Sequence, residues 1–158
     1  MVDGISFSEL LAYSDEETRR WKQFFERHPE ALDLQLDIAG DIRQLVMHIF
    51  AVELFFGNAL SGSGVDPDEL PTATLGEIFA VHGKASAIYR DFIAAATAEQ
   101  WQELVEIGAV GLKASRRKMV AQAFTHSMRH WAQISTFLRQ QGLKQEWNHD
   151  WLMSKVVE

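Results

Sequence analysis

The chain reads as an all-α protein, one four-helix bundle domain over residues 1–158, and three observations predict it. Apolar residues recur at three- and four-residue steps in four long segments. Two of those segments begin at capping boxes of the form S/T-x-x-E. The stretches between the segments are polar or dense in Gly, Pro and Asp, as connections are. Within this pattern Leu45 to Phe56 is apolar nearly all round and marks the most buried helix.

Ser6 and Glu9 form the first capping box, and the helix they start runs to about His28 with Leu10, Leu11, Trp21, Phe24 and Phe25 as its apolar positions. Pro29 stops it, because the residue before a proline is pushed out of helical geometry. His28 is expected to be an exposed helix-end residue, its charge suited to the C-terminal dipole. Residues 29 to 37 form a polar connection of short-helix character. A second helix follows from about Ile38 to Leu60. Its length of about 23 residues would suffice to cross a bilayer, but Asp41, Arg43, His48 and Glu53 within it argue against a membrane span.

Residues 61 to 71 read as a surface loop that could border a site. Thr74 and Glu77 form the second capping box and open a third helix to about Ala96, on which His82 lies off the apolar stripe and is expected to be partly exposed. Residues 97 to 114 fit either a short helix or a short strand pair ending at Gly108 and Gly111. The fourth long helix begins near Ser115 and ends at Gly142, a usual stopping residue. The tail from Leu143 is expected to pack Trp147, Trp151, Leu152 and Met153 back on the bundle, with His149 at the surface.

Composition narrows the function classes. The 158 residues are 47% hydrophobic and 23% charged, in the range of globular domains. Fifteen basic against 22 acidic side chains give a net charge of −7, which repels phosphate backbones. The one basic run, Arg116-Arg117-Lys118, spreads around a helix at about 100° per residue and makes no patch. Without cysteine there is no disulfide, thiolate metal site or Cys nucleophile. Met-Val-Asp-Gly lacks the features of a signal peptide. The expectation is a cytoplasmic protein that engages neither nucleic acid nor membrane.

The chemistry-bearing residues are histidines. His126 and His130, four positions apart, sit one turn apart on the same helical face, within the apolar stripe of Met119, Val120, Ala123, Phe124, Trp131 and Ile134 or at its edge. An inward imidazole needs a partner, since an unsatisfied buried polar group costs roughly 1–3 kcal/mol. A shared metal would supply one, and so would ordinary hydrogen bonds. A metalloprotease motif needs Glu directly after the first histidine; Ser127 stands there, which excludes that chemistry. His48, central in the second helix, taken alone reads more readily as a hydrogen-bonded core histidine than as a ligand. If the second and fourth long helices are neighbours, however, His48, His126 and His130 converge. Three protein nitrogens plus water make an open metal site of the catalytic type.

The order His48-Ile-Phe-Ala-Val-Glu53, then His126-Ser-Met-Arg-His130-Trp-Ala-Gln133 leading to Leu138-Arg-Gln-Gln-Gly142, resembles the DinB/YfiT-like superfamily of metalloenzymes over nearly the whole chain. The resemblance implies a bundle of up-down-down-up topology, a homodimer, and a divalent transition metal held by His48, His126 and His130. Zinc or nickel leads, with iron or manganese as alternatives. It also implies a small-molecule substrate and a thiol-dependent S-transferase or isomerase activity. With no cysteine in the chain, the sulfur would come from a low-molecular-weight thiol such as bacillithiol, mycothiol or glutathione. Gln133 matches the family's H-x-x-x-H-x-x-Q and would stand behind His130, although its place at the stripe's margin equally suits a polar surface residue. Glu53 is the other supporting candidate, but at about 140° around the helix from His48 it is poorly placed to be a ligand. The family's usual His-Arg is His130-Trp131 here, a departure that touches the pocket more than the metal. The alternative reading is a non-catalytic, stress-associated dimeric bundle whose metal is structural or senses a ligand. No catalytic residue is assigned by the sequence.

Overall fold

The computed structural model describes residues 4–36, 40–62, 70, 74–108 and 111–156. Five α-helices are present among them: α1 (Phe7–Arg27), α2 (Ile42–Ser61), α3 (Leu75–Ala95), the single-turn α4 (Ala98–Gln102) and α5 (Arg116–Gln140). Two short hairpins accompany them, β1 (Gln35–Leu36) with β2 (Gly40–Asp41) and β3 (Leu104–Ile107) with β4 (Leu112–Ser115), both antiparallel.

Local chemistry sets most helix ends. Ser6 and Thr74 cap α1 and α3 as full capping boxes, and His28, before Pro29, closes α1. Pro29–Asp33 forms a 3-10 turn, the short-helix character expected there. The second helix starts later than predicted. Asp41 is its N-cap, with Gln44 N–H donating to Asp41 Oδ1 at 2.7 Å and Asp41 N–H to Gln44 Oε1 at 3.0 Å. Gly40 precedes it at φ +75°, and a Cβ at that position would lie 1.7 Å from Gln44 Oε1. Ile38, the predicted start, lies outside the described residues. In residues 97 to 114 the two alternatives both occur in turn: α4 is followed by the β3–β4 pair, and Arg116 N–H donates to Glu103 O across its base.

The long helices close a ring in the order α1, α3, α2, α5. Named contacts give their directions. Phe25 meets Phe79 and Asp15 meets Ser86, so α1 and α3 run antiparallel. Phe50 meets Phe79 while Gly57 lies against Ile88, so α2 and α3 are parallel. Phe50 meets Trp131 and Glu53 meets Ser127, so α2 and α5 are antiparallel. The result is the up-down-down-up arrangement. Trp21, Phe24, Phe25, Phe50, Tyr89 and Ile134 are fully buried at its centre. By length and apolar content α2 could cross a membrane, yet half of it is buried in this bundle between α3 and α5, the position of a core helix.

Two expectations are corrected. Leu152 and Met153, in a 3-10 turn at Trp151–Met153, are 88% and 58% exposed, so the tail does not bury them. Trp147 and Trp151 do pack back as expected, each 5.1 Å from a ring of α1, Trp21 and Tyr13 respectively, and polar bonds fasten the same segment. Trp147 Nε1 donates to Glu17 Oε1 at 3.0 Å, Tyr13 Oη donates to the His149 carbonyl, and Arg27 pairs with Glu146 at 2.9 Å. His149 is not a surface residue: it is half-buried, stacked on Trp21 at 5.4 Å, with Nδ1 2.7 Å from Glu17 Oε2.

Candidate metal centre

Helix α2 presents His48 toward α5, which carries His126 and His130 one turn apart. Their antiparallel packing brings the three rings together, with centroids 4.4 to 5.2 Å apart. His48 Nε2 lies 3.1 Å from His126 Nε2, and His130 Nε2 also lies 3.1 Å from His126 Nε2. One ligand atom from each ring lies within 4.8 Å of the others. His48, expected among apolar neighbours, is exposed, His130 is half-buried, and His126 is buried at 8% exposure.

An imidazole Nε2 holds either one hydrogen or one lone pair in the ring plane. His126 Nε2 faces two other ring nitrogens at 3.1 Å and cannot satisfy both. A cation shared among three lone pairs can. Tetrahedral zinc with bonds of ~2.05 Å separates its ligands by about 3.3 Å, close to the spacing seen. His126 Nδ1 is buried without a hydrogen-bond partner among the described residues, so hydrogen bonding with them does not account for this ring. The residues present therefore fit a divalent metal.

Protonation supports the same reading. Burial, together with the like charges of His130, His48 and Arg129, pushes His126 down to about 4. Burial first, then His130 and Arg129, lowers His48. Both rings stay neutral and able to donate lone pairs at physiological pH. Gln133 Oε1 sits 2.5 Å from His130 Nδ1 and accepts a hydrogen bond from its N–H, which fixes the tautomer that leaves Nε2 unprotonated toward the cluster.

Glu53 has no bond to any of the three imidazoles. It is 2% exposed and accepts from Ser127 Oγ at 2.6 Å, while its other oxygen lies 2.7 Å from His82 Nδ1. His82 was expected to be partly exposed. It is buried at 8%, because Asp15 Oδ1 on α1, 3.0 Å from its Nε2, and Glu53 on α2 hold it between two carboxylates. Burial works to lower its pKa, but Glu53 and Asp15 prevail and raise it to about 9. Ser86 donates to Asp15 at 2.7 Å and Arg90 reaches the same carboxylate at 3.2 Å. The network ties α1, α2, α3 and α5 together beside the histidines. Asp15, Ser86 and Ser127 escaped sequence reasoning; the available signal was serines occupying positions of the apolar stripes.

Trp131, where the family pattern has Arg, turns away from the cluster. It is buried, stacked on Trp21 at 5.0 Å and edge-on to Phe50 at 5.9 Å.

Comparison with known proteins gives two findings. The family model described as the DinB family matches residues 1–154. Among solved structures, a DinB-like protein of Bacillus subtilis, YjoA, is similar with a TM-score of 0.59 at 16% identity, covering 87% of this chain and 99% of its own. That likeness concerns the fold. No curated protein sequence matches.

Proposed function

The chain belongs to the DinB family, and from that premise we propose that it is a cytoplasmic metal-dependent enzyme. In this reading it works as a homodimer and joins a low-molecular-weight thiol to a small electrophilic substrate, or isomerises such a substrate. The observation that carries the proposal is the convergence of His48, His126 and His130, with one ring nitrogen equidistant at 3.1 Å from the other two.

A divalent ion bound there would act as a Lewis acid, lowering the pKa of a coordinated water or thiol as zinc lowers that of water to about 7. The chain's own residues do the rest. Gln133 orients His130 through Nδ1. Exposed His48 leaves the cluster accessible from solvent, which favours an open position over a sealed structural site. Ser127 and Glu53 lock α5 against α2 one residue away from His126 and so maintain the nitrogen spacing. With no cysteine in the chain, the sulfur nucleophile comes from the co-substrate.

The test is elemental analysis of protein purified without a histidine tag, beside His130→Ala. Near one equivalent of zinc, nickel, iron or manganese per chain, lost in the variant, is expected. Thiol-transferase assays with the identified ion then follow. Failure of the wild type to take up zinc or nickel on reconstitution would overturn the proposal. A stoichiometric metal without thiol-dependent turnover would leave the non-catalytic bundle.

A further inference from the structure

The molecule has a second concave site that the histidine cluster does not touch. A cavity of about 530 Å³ lies between α1, α5 and the C-terminal segment, within the size range of small-ligand pockets. None of His48, His126 and His130 lines it. Its walls are apolar and aromatic: Leu10 and Tyr13 from α1, Met128 and Trp131 from α5, Trp151 from the tail.

Several polar groups in these walls lack partners. Ser14, only 7% exposed, lines the cavity, and its hydroxyl makes no hydrogen bond to a described residue. The indole N–H of Trp131 and Nε2 of His149 are likewise buried and unpaired. Glu17 is already engaged by His149, Trp147 and Arg20 and has no need of a further cation. Arg139 and Asp150 differ from it. Both line this cavity and the smaller one adjoining it, and neither has an ion pair with a described residue.

An apolar, aromatic-walled chamber flanked by one free cation and one free anion suits a ligand with the opposite arrangement. We propose that this cavity binds a small zwitterion of the α-amino-acid type with an aromatic side chain. The carboxylate lies against Arg139, which can hold it in two hydrogen bonds. The ammonium lies against Asp150, and the ring lies among Tyr13, Met128 and Trp131. A simple acid would leave Asp150 facing like charge, and a simple amine would do the same to Arg139. The proposal does not depend on the metal centre.

The test is a titration of the full-length ¹⁵N-labelled protein with L-phenylalanine, 3-phenylpropionate and phenethylamine, followed through the amide and indole resonances. Arg139 and Asp150 are exposed, so Arg139→Gln and Asp150→Asn leave the fold intact. The expected result is saturable binding of phenylalanine at roughly millimolar concentration, with shifts centred on Trp131 and Trp151. Each variant should weaken it by roughly fivefold or more. Arg139→Gln should also weaken the acid but spare the amine, and Asp150→Asn the reverse. Absence of saturable shifts up to ~10 mM phenylalanine would overturn the proposal. So would phenylalanine binding that neither variant alters, or 3-phenylpropionate binding as tightly as phenylalanine in the wild type.

Discussion

Replacing Glu53 by Gln removes one negative charge from the centre of the bundle and almost no volume, and the structure sets the size of the effect. His82 is raised from 6.5 to about 9, a displacement of about 2.5, and at about 1.36 kcal/mol for each pKa unit the folded site favours the imidazolium by about 3 kcal/mol, the two carboxylates outweighing the cost of burial. Glu53 is the stronger of the two influences, so Glu53→Gln should cost about 2 kcal/mol at pH 6. The sign follows from the direction of the shift. A value higher in the folded than in the unfolded chain stabilises fully below 6.5, and that stabilisation is lost as pH rises through 9. His126 and His48 are shifted the other way, so they destabilise the folded chain below 6.5, and the assay starts above that value. Raised Tyr13 and Tyr89 act above the range it covers. Urea unfolding at pH 7.0, 8.0 and 9.5 is the assay. Wild-type stability should fall by about 2 kcal/mol across that range, and the variant should start lower and change much less. A flat wild-type profile, or a variant as steep as the wild type, would refute the ion-pair account of His82.

Three further outcomes are expected. Gln133→Ala should weaken zinc binding roughly ten- to a hundredfold without unfolding the protein, since it frees the His130 tautomer; competition with a chromophoric chelator measures this. Trp131→Ala should destabilise by about 3–5 kcal/mol in denaturant melts, because the ring fills the space between Trp21 and Phe50. Asp41→Ala should lose about 1 kcal/mol by removing the cap of α2, with an unchanged denaturant slope.

What could be read from the sequence was what local rules govern. Capping at Ser6 and Thr74 needs residues only three apart, so both helix starts were visible, as was the His126–His130 pair, which needs only helical periodicity. The start of α2 was misplaced because Ile38 and Ala39 continue its apolar run upstream in the sequence, while Gly40, at positive φ, and the Asp41–Gln44 box end it. The environment of His82 was misjudged for a different reason. Its partners lie 29 and 67 residues away on other helices, and no window of sequence contains all three. His149 was misplaced in the same way, its partner Glu17 being 132 residues distant. Residues 97 to 114 resisted assignment because a single helical turn and four-residue strands are too short for periodicity to distinguish.

The ring order of the helices bears on when the metal centre can come into being. His48 and His126 are separated by 78 residues, and α5, which carries two of the three rings, leaves the ribosome after α1, α2, α3 and α4. At about 5–20 residues per second, His48 waits roughly 4–16 s before its partners are even synthesised. During that interval a lone imidazole on α2 has little hold on any ion. On the proposed metal-dependent reading, discrimination among metals therefore belongs to the finished, closed bundle drawing on whatever the cell then makes available, and the nascent chain takes no part in the choice.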